Sequence, residues 1–222
     1  TDTPLAHKKL ILGTHVVPNM WLLQGGTVGG GGTLKWFKQE FGDNLSFDEL
    51  TKLAEGVPAA SDGVLFLPYM AGERSPIWNP DAKGVYYGLS FDKTKGHMVR
   101  ATLEGVAYSL QHNLLTAEET GIRVDSLNAM GGSANSELWV QIKADITGKT
   151  INVPTSDTAT TLGAVILAGI GCGVYSSYEE AVEKTIVITR TQKPDPEKAD
   201  VYKKGMERYL KLSEALTDVF SM

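Results

Sequence analysis

The sequence lacks several features that would narrow its function quickly. It holds a single cysteine, Cys172, in 222 residues. A disulfide framework is therefore excluded, and a thiolate zinc site nearly so. Such sparse cysteine fits a reducing compartment, and a cytoplasmic setting is the expectation. No apolar run approaches the roughly 18–20 residues that cross a bilayer, and no signal peptide is visible, so no membrane partner is expected. Positive charge is neither abundant nor clustered: 21 Lys and Arg face 26 Asp and Glu, for a net charge of −5. A nucleic-acid partner is not expected, because neutralising a phosphate backbone needs a concentrated basic surface. The four histidines, His7, His15, His97 and His112, have no metal-ligand spacing with one another or with the cysteine, and no metal site is expected among this chain's own residues. No Ser/His/Asp arrangement is supported. Asn44-Leu45-Ser46 spells a glycosylation sequon that, without a secretory signal, reads as chance.

What the chain does have is an ordinary globular composition, 42% hydrophobic, enough for a sizeable core, and many glycines. Strand and helix patterns alternate along it. Val64-Leu65-Phe66-Leu67, closed by Pro68, reads as a buried strand, and a second strand is expected over 84–89. A helix is expected over 95–119, with Leu103, Val106, Ala107, Leu110 and Leu114 along one face and Gly121 as its stop. There follow a strand at 126–130, a helix at 135–147 ended by Gly148, a strand at 150–153 and a helix at 158–168 with Asp157 as N-cap. A short helix capped by Ser176 or Ser177, an edge strand at 186–189 and a long amphipathic tail helix over 197–220 complete the pattern. This order predicts an α/β fold with a central mixed sheet and helices on its faces.

Four local features carry chemistry. Met130-Gly131-Gly132-Ser133-Ala134-Asn135-Ser136 lies where a strand gives way to a helix. Two glycines there let the backbone approach a flat ligand, and the helix start offers unpaired N–H groups. A plain strand-to-helix turn is the competing reading, and the third glycine of a dinucleotide fingerprint is missing. The run from Gly25 to Thr33 precedes a helix over 34–41 and can cradle phosphates with its N–H groups. It is no Walker loop, since no Gly-Lys-Ser/Thr follows; Lys35 stands within reach of a phosphate, and a flexible loop with a surface lysine is the alternative. Glu73-Arg74, bounded by Gly72 and Pro76, is read as a pair holding its loop in place rather than as a substrate contact. Asp145, within the helix after Gly131-Gly132, has the chemistry of a general base, but helix position and burial explain it equally.

Taken with their order, these residues resemble the FGGY carbohydrate kinases. Gly84-Val85-Tyr86-Tyr87-Gly88-Leu89, seven residues, then His97-Met98-Val99-Arg100-Ala101-Thr102-Leu103-Glu104 looks like that family's second signature at every defined position. The segment from Phe66 to Pro76 resembles the loop ahead of the signature, Gly131-Gly132-Ser133 its adenosine motif, and Thr161-Leu162-Gly163-Ala164 the small-residue helix packed near the nucleotide. The resemblance runs from about His15 to the last helix. It implies the ribonuclease H-like fold of the actin/hexokinase/Hsp70 ATPases, in which two such domains enclose ATP. Residues 1–222 then correspond to one carboxyl-terminal nucleotide-binding domain, and the Thr1 start raises the expectation of a piece of a longer protein.

Carried onto this sequence, the resemblance sets Gly131, Gly132 and Ser136, with neighbouring Asn135, against adenosine, and Gly31 near the ATP phosphates with Lys35 close by. It implies ATP and Mg²⁺ as cofactors, the chain's own amino-terminal domain and a sugar as partners, with a homodimer left open. An Asp-Gly-Thr type turn, a Gly-Thr-Ser-like loop and the catalytic aspartate of the family find no counterpart, so the base is expected in the amino-terminal domain and no catalytic residue in this one. Isolated, the chain is expected to turn over little or no substrate. The Gly72–Pro76 loop looks most like that of xylulokinases, and Ile77-Trp78-Asn79-Pro80-Asp81-Ala82 like that of gluconate kinases. A non-catalytic nucleotide-binding or assembly module of the same fold is the alternative, and a Rossmann-type dehydrogenase domain a more distant one.

Overall fold

The structure is a computed structural model that describes residues 1–155 and 158–222; the expected N-cap Asp157 lies outside the described residues. A hairpin opens the chain, β1 (Ile11–Thr14) pairing antiparallel with β2 (Trp21–Gln24). The glycine run then leads into α1 (Gly31–Phe41), which starts one turn earlier than expected, and α2 (Phe47–Glu55) follows. Helix α2 is nucleated by a capping box: the Glu49 N–H donates to Ser46 Oγ at 3.2 Å, and the Ser46 N–H to the Glu49 carboxylate at 2.7 Å. Its Leu50 and Ala54 are fully buried.

The buried strand ended by Pro68 is β3 (Leu65–Leu67), antiparallel to β4 (Val85–Tyr87), with Phe66 opposite Tyr86. Helix α3 (Lys95–Glu118) is the longest element, and the chain leaves it through Gly121 at φ +88°. Beyond it come β5 (Ser126–Asn128), α4 (Glu137–Thr147), β6 (Thr150–Pro154), α5 (Ala159–Gly171), α6 (Tyr178–Thr185), β7 (Ile188–Gln192), α7 (Ala199–Ala215) and the short α8 (Thr217–Phe220). Gly148 closes α4 in the left-handed region, its N–H donating to the Ala144 carbonyl at 2.8 Å.

The α/β alternation holds, and β5–β6–β7 is the mixed sheet: β5 runs parallel to β6, and β7 lies antiparallel at the edge. The other strands form two separate antiparallel pairs, so pairing is divided among three short sheets. Strands β3 and β4 are only three residues long, and Pro68 and Gly88 (φ +87°) bound them. Among the described residues, no helix is long and apolar enough to cross a membrane.

The expected single apolar face on α3 gives way to a helix buried all round. Every residue from Val99 to Ser109 is inaccessible, because α2, α4 and β3 pack against different sides of it. Two charged residues are therefore enclosed. Arg100 Nε donates to Glu104 at 2.9 Å, and Glu104 also accepts from the Ala60 N–H, Ser61 Oγ and Tyr202 Oη. The carboxylate thereby joins α3, the turn before β3, and α7.

Helix α3 lies so close to β3 that a Cβ at Gly105 would stand 2.3 Å from the Phe66 carbonyl oxygen. Helix propensity and packing then oppose each other in Gly105→Ala. The substitution gains about 1 kcal/mol of helix propensity and incurs roughly 1–3 kcal/mol or more of overpacking against a backbone atom that cannot swing aside. The expected result is a Tm lowered by roughly 2–8 °C, read by thermal denaturation. A raised Tm would show that β3 retreats at no cost.

Candidate functional site

The glycine segment has few side chains with which to anchor itself, and a buried acid from elsewhere does most of it. Glu73, 3% exposed, accepts from Thr27 Oγ1 at 2.7 Å and from the Val28 and Arg74 N–H groups at 2.8 Å each. On its other side the segment presses on Pro68: a Cβ on Gly29 would fall 1.8 Å from the Pro68 carbonyl oxygen. Thr33 Oγ1 returns a bond to the Gly29 carbonyl at 2.9 Å. The result is a fixed start for α1, with Gly30 as N-cap and no side-chain cap. The Thr33 N–H donates to the Gly30 carbonyl at 3.1 Å, and the Gly31 and Gly32 N–H groups stay open to an external acceptor.

Opposite this start, the chain leaves β5 and turns through Gly131 at φ +80°, ψ −178°, a conformation essentially restricted to glycine. A 3-10 turn over Gly132–Asn135 follows, and Ser136 caps α4 by accepting from the Trp139 N–H at 3.2 Å. Trp139 is anchored in turn, its indole N–H donating to the Leu103 carbonyl at 3.0 Å.

Between the two helix starts lies a cavity of about 700 Å³. Five of the six expected ligand-binding residues, Gly31, Lys35, Gly132, Asn135 and Ser136, form part of its wall. Gly131 does not, and contributes through the turn it permits. Nothing lies within 4 Å of where a Cβ would be on Gly31, Gly32 or Gly132. The glycines are thus not required by neighbouring protein atoms, and the space they leave belongs to the cavity.

Several wall residues escaped the sequence reading. Phe47, Asp48 and Thr51 come from α2, an element that was not expected, and Met130 and Trp139 complete an apolar side. The Ser46–Glu49 capping box was the available signal for α2. By contrast, residues 159–171 contribute nothing to the wall, so Thr161-Leu162-Gly163-Ala164 does not border this cavity. Asp145 is also elsewhere. Six per cent exposed, it accepts from Gln141 Nε2 at 2.6 Å and the Asp195 N–H at 2.9 Å, which commits it to holding the chain after β7 against α4. Glu73 and Arg74 do not pair with each other through their side chains: the carboxylate turns inward and the guanidinium is exposed.

The wall suits a nucleotide. It combines glycine backbone open to a flat group, apolar Phe47 and Met130, uncapped N–H groups at α1 and the exposed Lys35 cation. Asp48 is the single carboxylate on it among the described residues, and no cluster of three metal-ligating side chains occurs among those residues.

Behind the second turn sits Lys143. Its ammonium donates to Ser133 Oγ at 2.9 Å and lies 4.8 Å from the Trp139 ring centre. Burial pushes its pKa down from 10.5 to about 8. Below pH 8 the folded chain therefore encloses a charge at a cost of about 3 kcal/mol, partly offset by the Ser133 and Trp139 contacts. Between pH 8 and 10.5 the unfolded chain binds more protons at this site, so its contribution to stability rises with pH. Lys143→Met keeps the apolar stem and removes the charge. At pH 7 it is expected to stabilise by about 1–3 kcal/mol, and this gain should shrink across pH 8–10.5 when Tm is compared with the unaltered chain. A gain constant with pH would assign it to packing.

Comparison with known proteins identifies the family. Residues 1–172 match the FGGY family of carbohydrate kinases, C-terminal domain. The chain is 38% identical to a gluconokinase from Bacillus licheniformis over 91% of its length and 35% identical to a xylulose kinase from Staphylococcus epidermidis over 93%. It covers only 42% and 41% of those two proteins. The crystal structure of a xylulose kinase from Rhodospirillum rubrum superposes with a TM-score of 0.90 at 28% identity, across 100% of this chain and 45% of that one. The chain thus spans less than half the length of these relatives, and it belongs to the FGGY family of carbohydrate kinases.

Proposed function

We propose that this chain is the nucleotide-binding half of an ATP-dependent sugar kinase, working in the cytoplasm with an amino-terminal domain that brings the sugar and the catalytic base. The observation that carries the reading is the cavity between two glycine-bearing helix starts, whose Gly31, Gly32 and Gly132 leave room that no protein atom fills. Gly131 and Gly132, with Asn135 and Ser136, hold the adenosine. The start of α1 at Gly31, with Lys35, holds phosphate.

ATP supplies the γ-phosphoryl group for transfer to a sugar hydroxyl. The chain's own residues bind and orient. The N–H groups of α1 offer donors and the positive end of a helix dipole to phosphate oxygens. The 131–136 turn lets the base lie against backbone, and Phe47, Met130 and Trp139 exclude water from one side. Magnesium in such sites keeps phosphate oxygens and waters as most of its ligands, and Asp48 is the residue on this wall that would face it. Phosphoryl transfer also needs a base to receive the acceptor's proton, and this wall offers none beyond Asp48. The acceptor is a ketopentose such as xylulose or a sugar acid such as gluconate, the two classes in the names of the relatives.

Calorimetric titration with Mg-ATP tests this, with Gly132→Val beside the unaltered sequence. The new side chain would extend into open cavity, so Tm should be nearly unchanged while ATP affinity falls at least about tenfold. Neither xylulose nor gluconate should be phosphorylated by the isolated chain. The reading is overturned if Gly132→Val binds Mg-ATP as well as the unaltered protein, or if a form with its amino-terminal domain restored binds none.

A further inference from the structure

Lys143 lies on α4 behind the 131–136 turn and forms no part of the cavity wall, yet both groups it touches do. Ser133 Oγ accepts from its ammonium at 2.9 Å, and the Trp139 ring centre lies 4.8 Å away. The described residues supply it no carboxylate, and burial alone shifts its pKa. A buried ammonium without a counter-ion opposes folding, so its place needs another reason. The turn does not need it. The turn's backbone is closed by the Ala134 N–H donating to the Gly131 carbonyl at 2.9 Å, by Arg190 Nη2 donating to the Ala134 carbonyl, and by the Ser136 cap on α4. What Lys143 adds is a bond to one side chain.

The direction of that bond decides what Ser133 can do. With a pKa of about 8, the ammonium is the prevailing form at pH 7. An ammonium has three donors and no lone pair, so Ser133 Oγ accepts, and its own hydrogen is left for another acceptor. Among the described residues the contact with Lys143 is the one hydrogen bond that Ser133 Oγ makes. Ser133 is half-buried on the cavity wall, beside Gly132, which leaves open space where a Cβ would be. A free serine hydroxyl turns to donate or to accept as its partner requires. This one is committed to donating, and accepting from a cation polarises it and strengthens the bond it gives.

We infer that Ser133 donates its hydroxyl hydrogen to a ring nitrogen of the bound adenine, and that Lys143 is the positioning residue that commits the hydroxyl to this role. The inference rests on the nucleotide reading and deepens it, because it names a pair of residues that reads the base. Adenine suits such a donor: the unsubstituted nitrogens of its rings carry in-plane lone pairs and only accept. The arrangement also accounts for a charge that folding alone would discard. Lys143→Met, expected above to stabilise the chain, removes the group that directs the donor, and stability is commonly given up in this way where binding requires it.

Calorimetric titrations at pH 7 with Mg-ATP and its 1-deaza, 3-deaza and 7-deaza analogues test this, since each analogue replaces one ring nitrogen by C–H. The proteins compared are the unaltered chain, Ser133→Ala and Lys143→Met. At least one analogue should bind the unaltered chain about tenfold more weakly than ATP. In Ser133→Ala that analogue and ATP should bind alike. In Lys143→Met the gap between them should narrow. A purely structural role for Lys143 would weaken all four ligands in proportion and leave the gap unchanged, which overturns the inference. So does a gap that survives in Ser133→Ala, or an unaltered chain that binds ATP and sets no analogue apart; in each case the nucleotide reading stands. Failure to bind Mg-ATP even with the amino-terminal domain restored overturns the nucleotide reading itself, and this inference with it.

Discussion

A buried carboxylate on a loop fixes the part of this molecule that matters most. The segment from Gly25 to Gly32 has almost no side chains with which to hold itself, and free glycine-rich chain is expensive to order. Glu73 supplies the missing anchor from 45 and 46 residues away, accepting from Val28 N–H and Thr27 Oγ1. An ionised carboxylate suits this because it only accepts, at several lone-pair positions, and charge-assisted bonds are the stronger kind. Glu73 is itself held by reciprocal backbone bonds with Asn79, at 2.8 and 3.0 Å. The cavity between the helix starts opens at Gly31 and Gly32, directly after the residues that Glu73 anchors.

Helix α3 has the corresponding role for the scaffold. Its Arg100–Glu104 pair is buried, and such pairs are weak evidence for stability, since the desolvation of two charges offsets much of their attraction. What the pair provides here is position. Ala60, Ser61 and Asp62 all have positive φ, at +62°, +48° and +46°, a costly conformation for residues with side chains. Glu104 accepts from the Ala60 N–H and Ser61 Oγ, so the strained turn that launches β3 is tied to the helix that β3 must meet at Gly105. Register between helix and strand is then set by a hydrogen-bonded acid and a glycine rather than by apolar contact alone.

The sequence made some of this readable and hid the rest, for identifiable reasons. The strand before Pro68, the helix stopped by Gly148 and the glycine turn after β5 are local signals, and each lies within a few residues of where it was expected. The burial of α3 on all sides is a tertiary fact: nothing in residues 99–109 announces that α2, α4 and β3 will cover different faces. Helix α2 did carry its own signal in Ser46 and Glu49, and missing it meant missing Phe47, Asp48 and Thr51 on the cavity wall. The β1–β2 hairpin is harder to read, since its strands are four residues long, burial alternates in β2 but not in β1, and its turn has Asn19 at φ +61° without a following glycine. Glu73 and Arg74 looked like one ion pair because they adjoin in sequence. Adjacent side chains leave the backbone in different directions, and here one enters the core and the other meets solvent.

The distribution of acids bears on how the chemistry is divided. Of the carboxylates near the second turn, Asp145 is committed to Gln141 and the Asp195 N–H, and Glu137 lies beside Arg190 at 3.4 Å. Glu73 and Glu104 are each enclosed among several donors. A general base must reach the proton it removes and keep a free lone pair for it; Asp145, Glu73 and Glu104 are occupied in holding the fold, and Glu137 is exposed and forms no part of the cavity wall. What remains on the cavity wall between the helix starts is one carboxylate, one uncapped helix start, a glycine turn and a lysine. Those are the parts that bind and orient a charged, flat ligand, and positioning of this kind is most of what a protein contributes to phosphoryl transfer. The use of this chain's acids is thus in keeping with the proposed division, in which this half holds the donor and the amino-terminal half activates the acceptor.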